Sequence, residues 1–214
     1  MKFTDKVKSA TKLIKWAVAK YPRLAVACSF GKDSMVVLHL CLQVKPDIEV
    51  FSVMTPFKFP ETFKYKDTIT RKFGLNIKTY MQNNNTPLYE TDVEKCCDFY
   101  KVEPTKWALK DKDAWITGLR RTEGKTRTDY DFVEEKGGLL KINPILDFTE
   151  LDVWRYLALN QIPVNPLYAQ GYRSLGCMPC SNVESDETDT ERQGRWSGTS
   201  KCGGECGIHT KTLK

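Results

Sequence analysis

Arg23-Leu24-Ala25-Val26-Ala27-Cys28-Ser29-Phe30-Gly31-Lys32-Asp33-Ser34 decides the fold. RLAVACS (23–29) is a short apolar run directly after Pro22, the mark of a strand buried on both faces of a parallel sheet. A glycine-containing turn follows, then a predicted helix over 33–44 with Ser34 near its start. Strand, turn and helix start leave backbone N–H groups and the positive helix end available to a phosphate or sulfate. Gly31 permits close approach, Lys32 adds a cation, and Ser34 can donate from the first turn. The first glycine and the spacing of a Walker A loop are missing. An ordinary βα turn is the plainer reading of the same residues.

Outward from this segment the pattern alternates. Apolar positions Phe3, Val7, Ala10, Leu13, Ile14, Ala17 and Val18 predict a helix over 2–20 with a solvated lysine face. Strands are predicted over 48–54, 76–81, 114–118 and 139–142, and helices over 61–73, 93–110 and 149–160. Pro104 is expected to break the second of these helices, and Thr149 to cap the third with Asp152 at N3. This succession predicts an α/β fold, a mostly parallel twisted sheet with helices on both faces. Ligands of such sheets bind at the carboxyl ends of the strands, where the 29–34 loop falls. From Asn165 onward no periodicity is visible. ESDETDTE (184–191) reads as a solvated linker, so the expected division is a 1–183 domain and a flexible catalytic tail, 184–214.

The chain has 214 residues, 41% hydrophobic and 28% charged, with a formal net charge of +6, which suits an ordered domain with an anionic partner. No apolar run reaches a membrane span and the N-terminus lacks a signal peptide's apolar core, so a cytoplasmic protein is expected. Eight cysteines in a reducing compartment read as metal ligands or redox thiols before disulfides. Cys28 and Cys41 lie in apolar stretches and read as small buried hydrophobes. Cys177 and Cys180 bracket Met-Pro at the spacing of two ligands to one metal centre. Cys96 and Cys97 are adjacent, and neighbours on a helix project about 100° apart. Both can ligate only a large centre, or from a distorted helix end. A 4Fe–4S cube fits better than one zinc ion, with a disulfide pair or buried thiols as the alternative.

Cys206 is flanked by Gly203, Gly204 and Gly207 and is expected to be exposed and mobile. Lys201 and His209 favour its thiolate and Glu205 opposes it. A Cys202–Cys206 disulfide, or a second metal pair, competes with this reading. Arg120 and Arg121 follow the predicted strand WITG (115–118), Arg192 and Arg195 precede Trp196, and Lys101 follows the cysteine pair. Guanidinium forks suit phosphate and sulfate, although any one of these cations alone reads as surface charge.

The loop SFGKDS (29–34) resembles the pyrophosphate loop of the adenine-nucleotide alpha-hydrolase group. With CCDFYKVEP (96–104), WITGLRR (115–121), NPLYAQGYRSLGCMPC (165–180), ERQGRW (191–196) and ECGIH (205–209), the chain resembles the assimilatory adenylyl-sulfate and phosphoadenylyl-sulfate reductases from its first strand to His209. The chain departs from them at Tyr100, where the family often has arginine, and at Cys202 and the glycine pair before ECG.

The resemblance implies a 4Fe–4S cluster on Cys96, Cys97, Cys177 and Cys180, and with it a preference for adenylyl sulfate over the 3′-phosphorylated substrate. It implies Cys206 as nucleophile with His209 beside it, and a substrate site of Ser29, Phe30, Gly31, Lys32, Ser34, Lys101, Arg120, Arg121, Arg192 and Arg195. The implied chemistry is reduction of adenylyl sulfate to sulfite and AMP through a thiosulfonate on Cys206, in assimilatory sulfate reduction toward cysteine. Thioredoxin or glutaredoxin is the implied donor; a homo-oligomer is possible, and nucleic acid and membrane are not expected partners. The alternatives are a reductase preferring phosphoadenylyl sulfate, an ATP-pyrophosphatase-type nucleotide enzyme, and a zinc-stabilised nucleic-acid binder.

Overall fold

The central parallel strands are short and apolar because both of their faces are covered. The computed structural model describes residues 1–183, 190–199, 201–202 and 204–214. Its strands are β1 (Leu24–Ala27), β2 (Glu49–Val53), β3 (Ile77–Tyr80), β4 (Ala114–Ile116), β5 (Val133–Lys136) and β6 (Leu139–Ile142). They form one sheet in the order β3-β2-β1-β4-β6-β5, parallel except for β5. The helices are α1 (Phe3–Lys20), α2 (Lys32–Val44), α3 (Pro60–Lys72), α4 (Val93–Cys97), α5 (Glu103–Leu109), α6 (Glu150–Leu159) and α7 (Gly207–Thr210). Leu24, Val26, Val50 and Ile116 face the core that α1, α2 and α6 complete. Ala25, Phe51 and Trp115 face the other way, under Val102, Ala108 and Leu109, and Leu213 from the chain's end joins them. The period-2 alternation of strand side chains produces this two-sided core.

β1 lies between β2 and β4, so the loops after β1 and β4 leave in opposite directions and open a crevice between them. Gly118 lets the two loops close on each other. A Cβ there would sit 2.9 Å from the Ser34 amide nitrogen and 3.0 Å from the Asp33 carbonyl carbon.

β5 falls outside the sequence expectation. VEEK (133–136) carries no apolar alternation, and it pairs as an antiparallel edge strand across a tight turn at Gly137 and Gly138. Both glycines have left-handed φ, 61° and 71°, as two-residue hairpins require. Pro104 does not break the helix either. The chain opens into one π-helical turn, Asp98–Val102, just before it, and α5 carries Pro104 in its first turn. Proline lacks an N–H and its ring would strike the carbonyl four residues back, and the wider turn accommodates both. The predicted capping box of α6 is present: the Thr149 side chain accepts from Asp152 N, and Asp152 accepts from Thr149 N.

The acidic run is only partly described. Residues 184–189 lie outside the described residues, while Glu191 is buried, 5% exposed, and ion-paired to Lys32 and Arg120 rather than solvated. No helix among the described residues is long and apolar enough to cross a membrane.

Gly118→Ala should destabilise the fold by about 1–3 kcal/mol, the usual cost of forcing a methyl group into backbone contact. A denaturant midpoint unchanged from the parent would show that the two loops are not in contact.

Candidate active site

The crevice is a cavity whose floor is the β1 loop and whose wall is the chain's last stretch. Ser29, Gly31 and Ser34 line it beside Gly118, and Lys101, Arg192, Arg195, Cys206 and His209 line it from the other elements. Ser29 Oγ donates to Ser34 Oγ at 3.2 Å, and Ser34 Oγ donates to the Gly31 carbonyl at 2.9 Å. The first amide of α2, Lys32 N–H, donates to the Tyr168 hydroxyl at 2.7 Å.

The structure separates residues that the sequence grouped. Phe30 has left-handed φ of 63° and turns its ring into the core against Tyr65, away from the cavity. Lys32 is also turned inward. Its ammonium donates to the Arg173 carbonyl at 2.5 Å and pairs with Glu191 at 2.7 Å. Arg120, fully buried, donates to Asp33 at 2.5 Å and to both Glu191 oxygens at 2.8 and 2.7 Å. Arg121 bonds the Tyr130 carbonyl and Asp147. These three cations are held by protein carboxylates and carbonyls and do not line the cavity. Their expected role in gripping a substrate is therefore not what their surroundings display.

All eight thiols are free, so Cys202 and Cys206 form no disulfide. Cys202 is exposed, with its sulfur 3.8 Å from the Gln193 carbonyl. Cys206 is corrected from exposed to buried, 9% exposed, and packs with Cys97, Cys177, Cys180 and Trp196. Two carboxylates account for its burial. Glu205 accepts from Arg127 Nη2 at 3.0 Å, from Arg192 Nη2 at 3.5 Å and from the Cys206 amide at 2.7 Å. Glu123 takes the other side of the same arginines, bonded to Arg127 and 3.6 Å from Arg192. Burial opposes ionisation of Glu123, but Arg127, Arg192 and Arg120 outweigh it and hold its carboxyl at about 2.

Trp196, with left-handed φ of 54°, is ringed by cations. Arg195, Arg192, Lys201 and Lys101 stand 4.5, 5.4, 5.4 and 5.7 Å from its ring. Its indole nitrogen is buried without a hydrogen-bond partner among the described residues, as are Arg192 Nε and His209 Nδ1. A buried donor without a partner is costly, and these three residues all line the cavity. The His209 ring stacks on Trp115 with a 10° interplanar angle. Burial keeps this imidazole neutral, down at about 3, so His209 offers a hydrogen bond rather than a charge. Gly176 makes room for Arg195, since a Cβ there would lie 2.0 Å from its Nη2.

A second, smaller cavity is lined by Cys96, Cys97, Cys177 and Cys180 with Phe57, Tyr89 and Lys101. The π-helical turn begins immediately after Cys97, so the adjacent cysteines stand at a distorted helix end and both reach one space. Among the described residues no group of three or more His, Cys, Asp or Glu is arranged to hold a metal ion. The four thiols line one small enclosure.

Residues 23–183 match the phosphoadenosine phosphosulfate reductase domain family. The chain is 34% identical to the adenosine 5'-phosphosulfate reductase of Staphylococcus epidermidis, over 96% of this chain and 88% of that protein. It is 35% identical to adenosine 5'-phosphosulfate reductase 1 of Bacillus subtilis, over 96% and 92%. The chain belongs to the adenylyl-sulfate and phosphoadenylyl-sulfate reductase family. In fold, this reductase-family chain is similar to phosphoadenylyl-sulfate reductase from Candida auris, with a TM-score of 0.72, 24% identity, and 80% and 89% of the two chains covered. It is also similar to the FMN adenylyltransferase of Candida glabrata, with a TM-score of 0.68, 13% identity, and 95% and 75% covered.

Several cavity residues of this reductase-family chain carry no sequence signal. Glu123 and Arg127 follow the WITGLRR segment in a polar loop, Tyr168 sits in NPLYAQ, and Lys58 lies in an aromatic loop. Only the arginines near Arg192 hinted that a counter-charge such as Glu123 had to exist.

Glu123→Gln removes one partner of a buried ion pair, and should cost about 3–5 kcal/mol at neutral pH. The carboxyl is depressed in the folded state, so its contribution is complete above about pH 4.5 and lost as pH falls toward 2. Stability measured against pH should lose that part of its acid dependence in the variant. An unchanged acid limb would show that Glu123 is not held by the arginines.

Proposed function

We propose that this chain reduces adenylyl sulfate to sulfite and AMP, with Cys206 as the nucleophile. The observation that carries the reading is a buried thiol facing a cavity lined by Lys101, Arg192, Arg195 and His209, opposite a helix-start anion loop. In this reading the nucleotide's phosphate lies toward Ser29, Gly31 and Ser34, and its sulfate toward Cys206. The Cys206 thiolate attacks the sulfur, the sulfur–oxygen bond to the phosphate breaks, and AMP leaves with the bonding pair. The cations stabilise charge on the sulfate and phosphate oxygens, and neutral His209 donates or accepts one hydrogen bond. Closing the tail over the substrate excludes water from the thiosulfonate.

A dithiol donor such as thioredoxin or glutaredoxin then attacks the Cys206 sulfur. Sulfite departs with the sulfur–sulfur pair, the donor's second thiol resolves the mixed disulfide, and the donor is left oxidised. A buried Cys206 cannot meet such a donor. The second step therefore requires the 184–214 segment to open, breaking the Glu205 clamp and lifting Leu213 from the sheet. A reducing cytoplasm is the compartment in which eight free thiols and this donor belong.

The four-thiol cavity fits a 4Fe–4S cluster held by Cys96, Cys97, Cys177 and Cys180. Its ligands come as two close pairs, Cys96 with Cys97 and Cys177 with Cys180, and half-buried Lys101 adjoins it as a counter-charge. Bound there, the cluster supplies a fixed charge beside Lys101, with no change of oxidation state required. The family resemblance, with all four cysteines present, supports adenylyl sulfate over phosphoadenylyl sulfate as substrate.

Anaerobically prepared protein should contain iron and acid-labile sulfide and be brown; stoichiometric zinc without sulfide would reject the cluster. It should release sulfite from adenylyl sulfate with kcat/KM about tenfold or more above that for phosphoadenylyl sulfate. The reverse preference would overturn the substrate assignment, and pyrophosphate release from ATP would favour the nucleotide-enzyme alternative. Cys206→Ser should abolish sulfite release while leaving the iron spectrum intact.

A further inference from the structure

The cations around the main cavity fall into two groups. Lys32, Arg120, Arg127, Arg192 and Lys141 each lie within ion-pair distance of a carboxylate. Lys58, Lys101 and Arg195 line the cavity or its wall and have no carboxylate partner among the described residues. Arg195 spends its donors on the carbonyls of Cys180 and Leu175, at 3.0 and 3.1 Å. Arg195 is buried and Lys58 and Lys101 are half-buried, and a cation drawn out of water without an anion is unfavourable. Three of them beside one thiol are a receptor for an anionic group.

Lys58 stands apart because nothing in the sequence draws attention to it. It sits in the loop between β2 and α3, which is pinned to the 177–180 segment. Lys58 bridges Cys177 through the backbone, and Met178 N–H donates to the Phe57 carbonyl at 2.7 Å. Lys58 N–H closes a turn onto the Thr55 carbonyl at 3.2 Å. The residue is thus fixed in place, and its ammonium lies within electrostatic reach of Cys206, Cys177, Lys101 and Arg195. A sulfate presents three outer oxygens, and the thiol that must attack its sulfur is Cys206.

We propose that Lys58 is a sulfate-binding residue, its ammonium holding an outer oxygen of the substrate's sulfate while Cys206 attacks the sulfur. This rests on the reductase reading above. Lys101 and Arg195 come from the cysteine-pair helix and the tail, and Lys58 completes the receptor from the β2–α3 loop. AMP, which lacks the sulfate, makes no use of Lys58.

The test compares adenylyl sulfate with AMP by calorimetric titration of cluster-loaded Cys206→Ser protein, which binds without turning over. Adding Lys58→Met should weaken adenylyl sulfate binding about tenfold or more, the loss of one charge-assisted hydrogen bond. AMP binding should stay within about twofold, and Lys58→Arg should restore most of the difference. An unchanged ratio of the two affinities overturns the proposal. So does loss of iron from Lys58→Met with the ratio intact, because Lys58 would then serve the thiolates instead. Amine footprinting of Cys206→Ser alone covers the case in which Lys58→Met does not fold. Adenylyl sulfate, and not AMP, should protect Lys58 from acylation; protection by both or by neither overturns the assignment. If Cys206→Ser alone binds the two nucleotides equally, and the unsubstituted protein releases no sulfite, the reductase reading fails first.

Discussion

Charge compensation in a low-dielectric interior governs this molecule. An arginine or lysine taken out of water must meet an anion, and where the chain supplies one, the geometry becomes fixed. Glu191 answers Lys32 and Arg120, and ties the start of the tail to the β1 loop. Glu205 answers Arg127 and Arg192, and brings the adjoining Cys206 into the cavity. Two carboxylates thus tie the tail to the site, beside the apolar cluster of Trp196, Cys206 and Ile208 with Phe57 and Tyr89. Beyond Cys206 the closure is completed by Lys211 on Asp98, at 2.5 Å, and by Leu213 under Trp115.

What the carboxylates leave over defines the chemistry. Lys58, Lys101 and Arg195 carry charge that no described carboxylate cancels, and donors on Trp196 and Arg192 without a partner among the described residues stand in the same wall. A preformed excess of cations and donors is what a site needs when negative charge has to be held and moved without reorganisation. The neutral His209 imidazole, stacked on Trp115, adds polarity without adding to the repulsion among these cations.

Much of the fold was legible. The runs around Ala25, Phe51 and Trp115 are apolar because both faces of their strands are covered, and Thr149 and Asp152 form the capping box they spell. VEEK (133–136) was not legible, because an edge strand at a Gly-Gly hairpin needs no apolar pattern. The site was legible in its thiols, whose pairing survives as one enclosure through a π-helical turn that no spacing rule foretells. It was misleading in its cations. A sequence displays positive charges such as Lys32 and Arg120 but not the distant carboxylate that neutralises each, so these looked free. Lys58, set among phenylalanines, looked ordinary. Glu205 reads as opposing the Cys206 thiolate, and it does; what the sequence did not show is that its tie to Arg127 also helps to bury that thiol.

In the proposed reaction the thiol carried in by Glu205 receives the sulfate's sulfur. Incubating the protein with sulfur-labelled adenylyl sulfate and no dithiol, then locating the label by peptide mass spectrometry, tests it directly. The expected result is a sulfonate on Cys206 alone, released as sulfite when a dithiol is added. Label on Cys202 or on any of the four enclosed cysteines, or AMP release with no labelled cysteine, would contradict it.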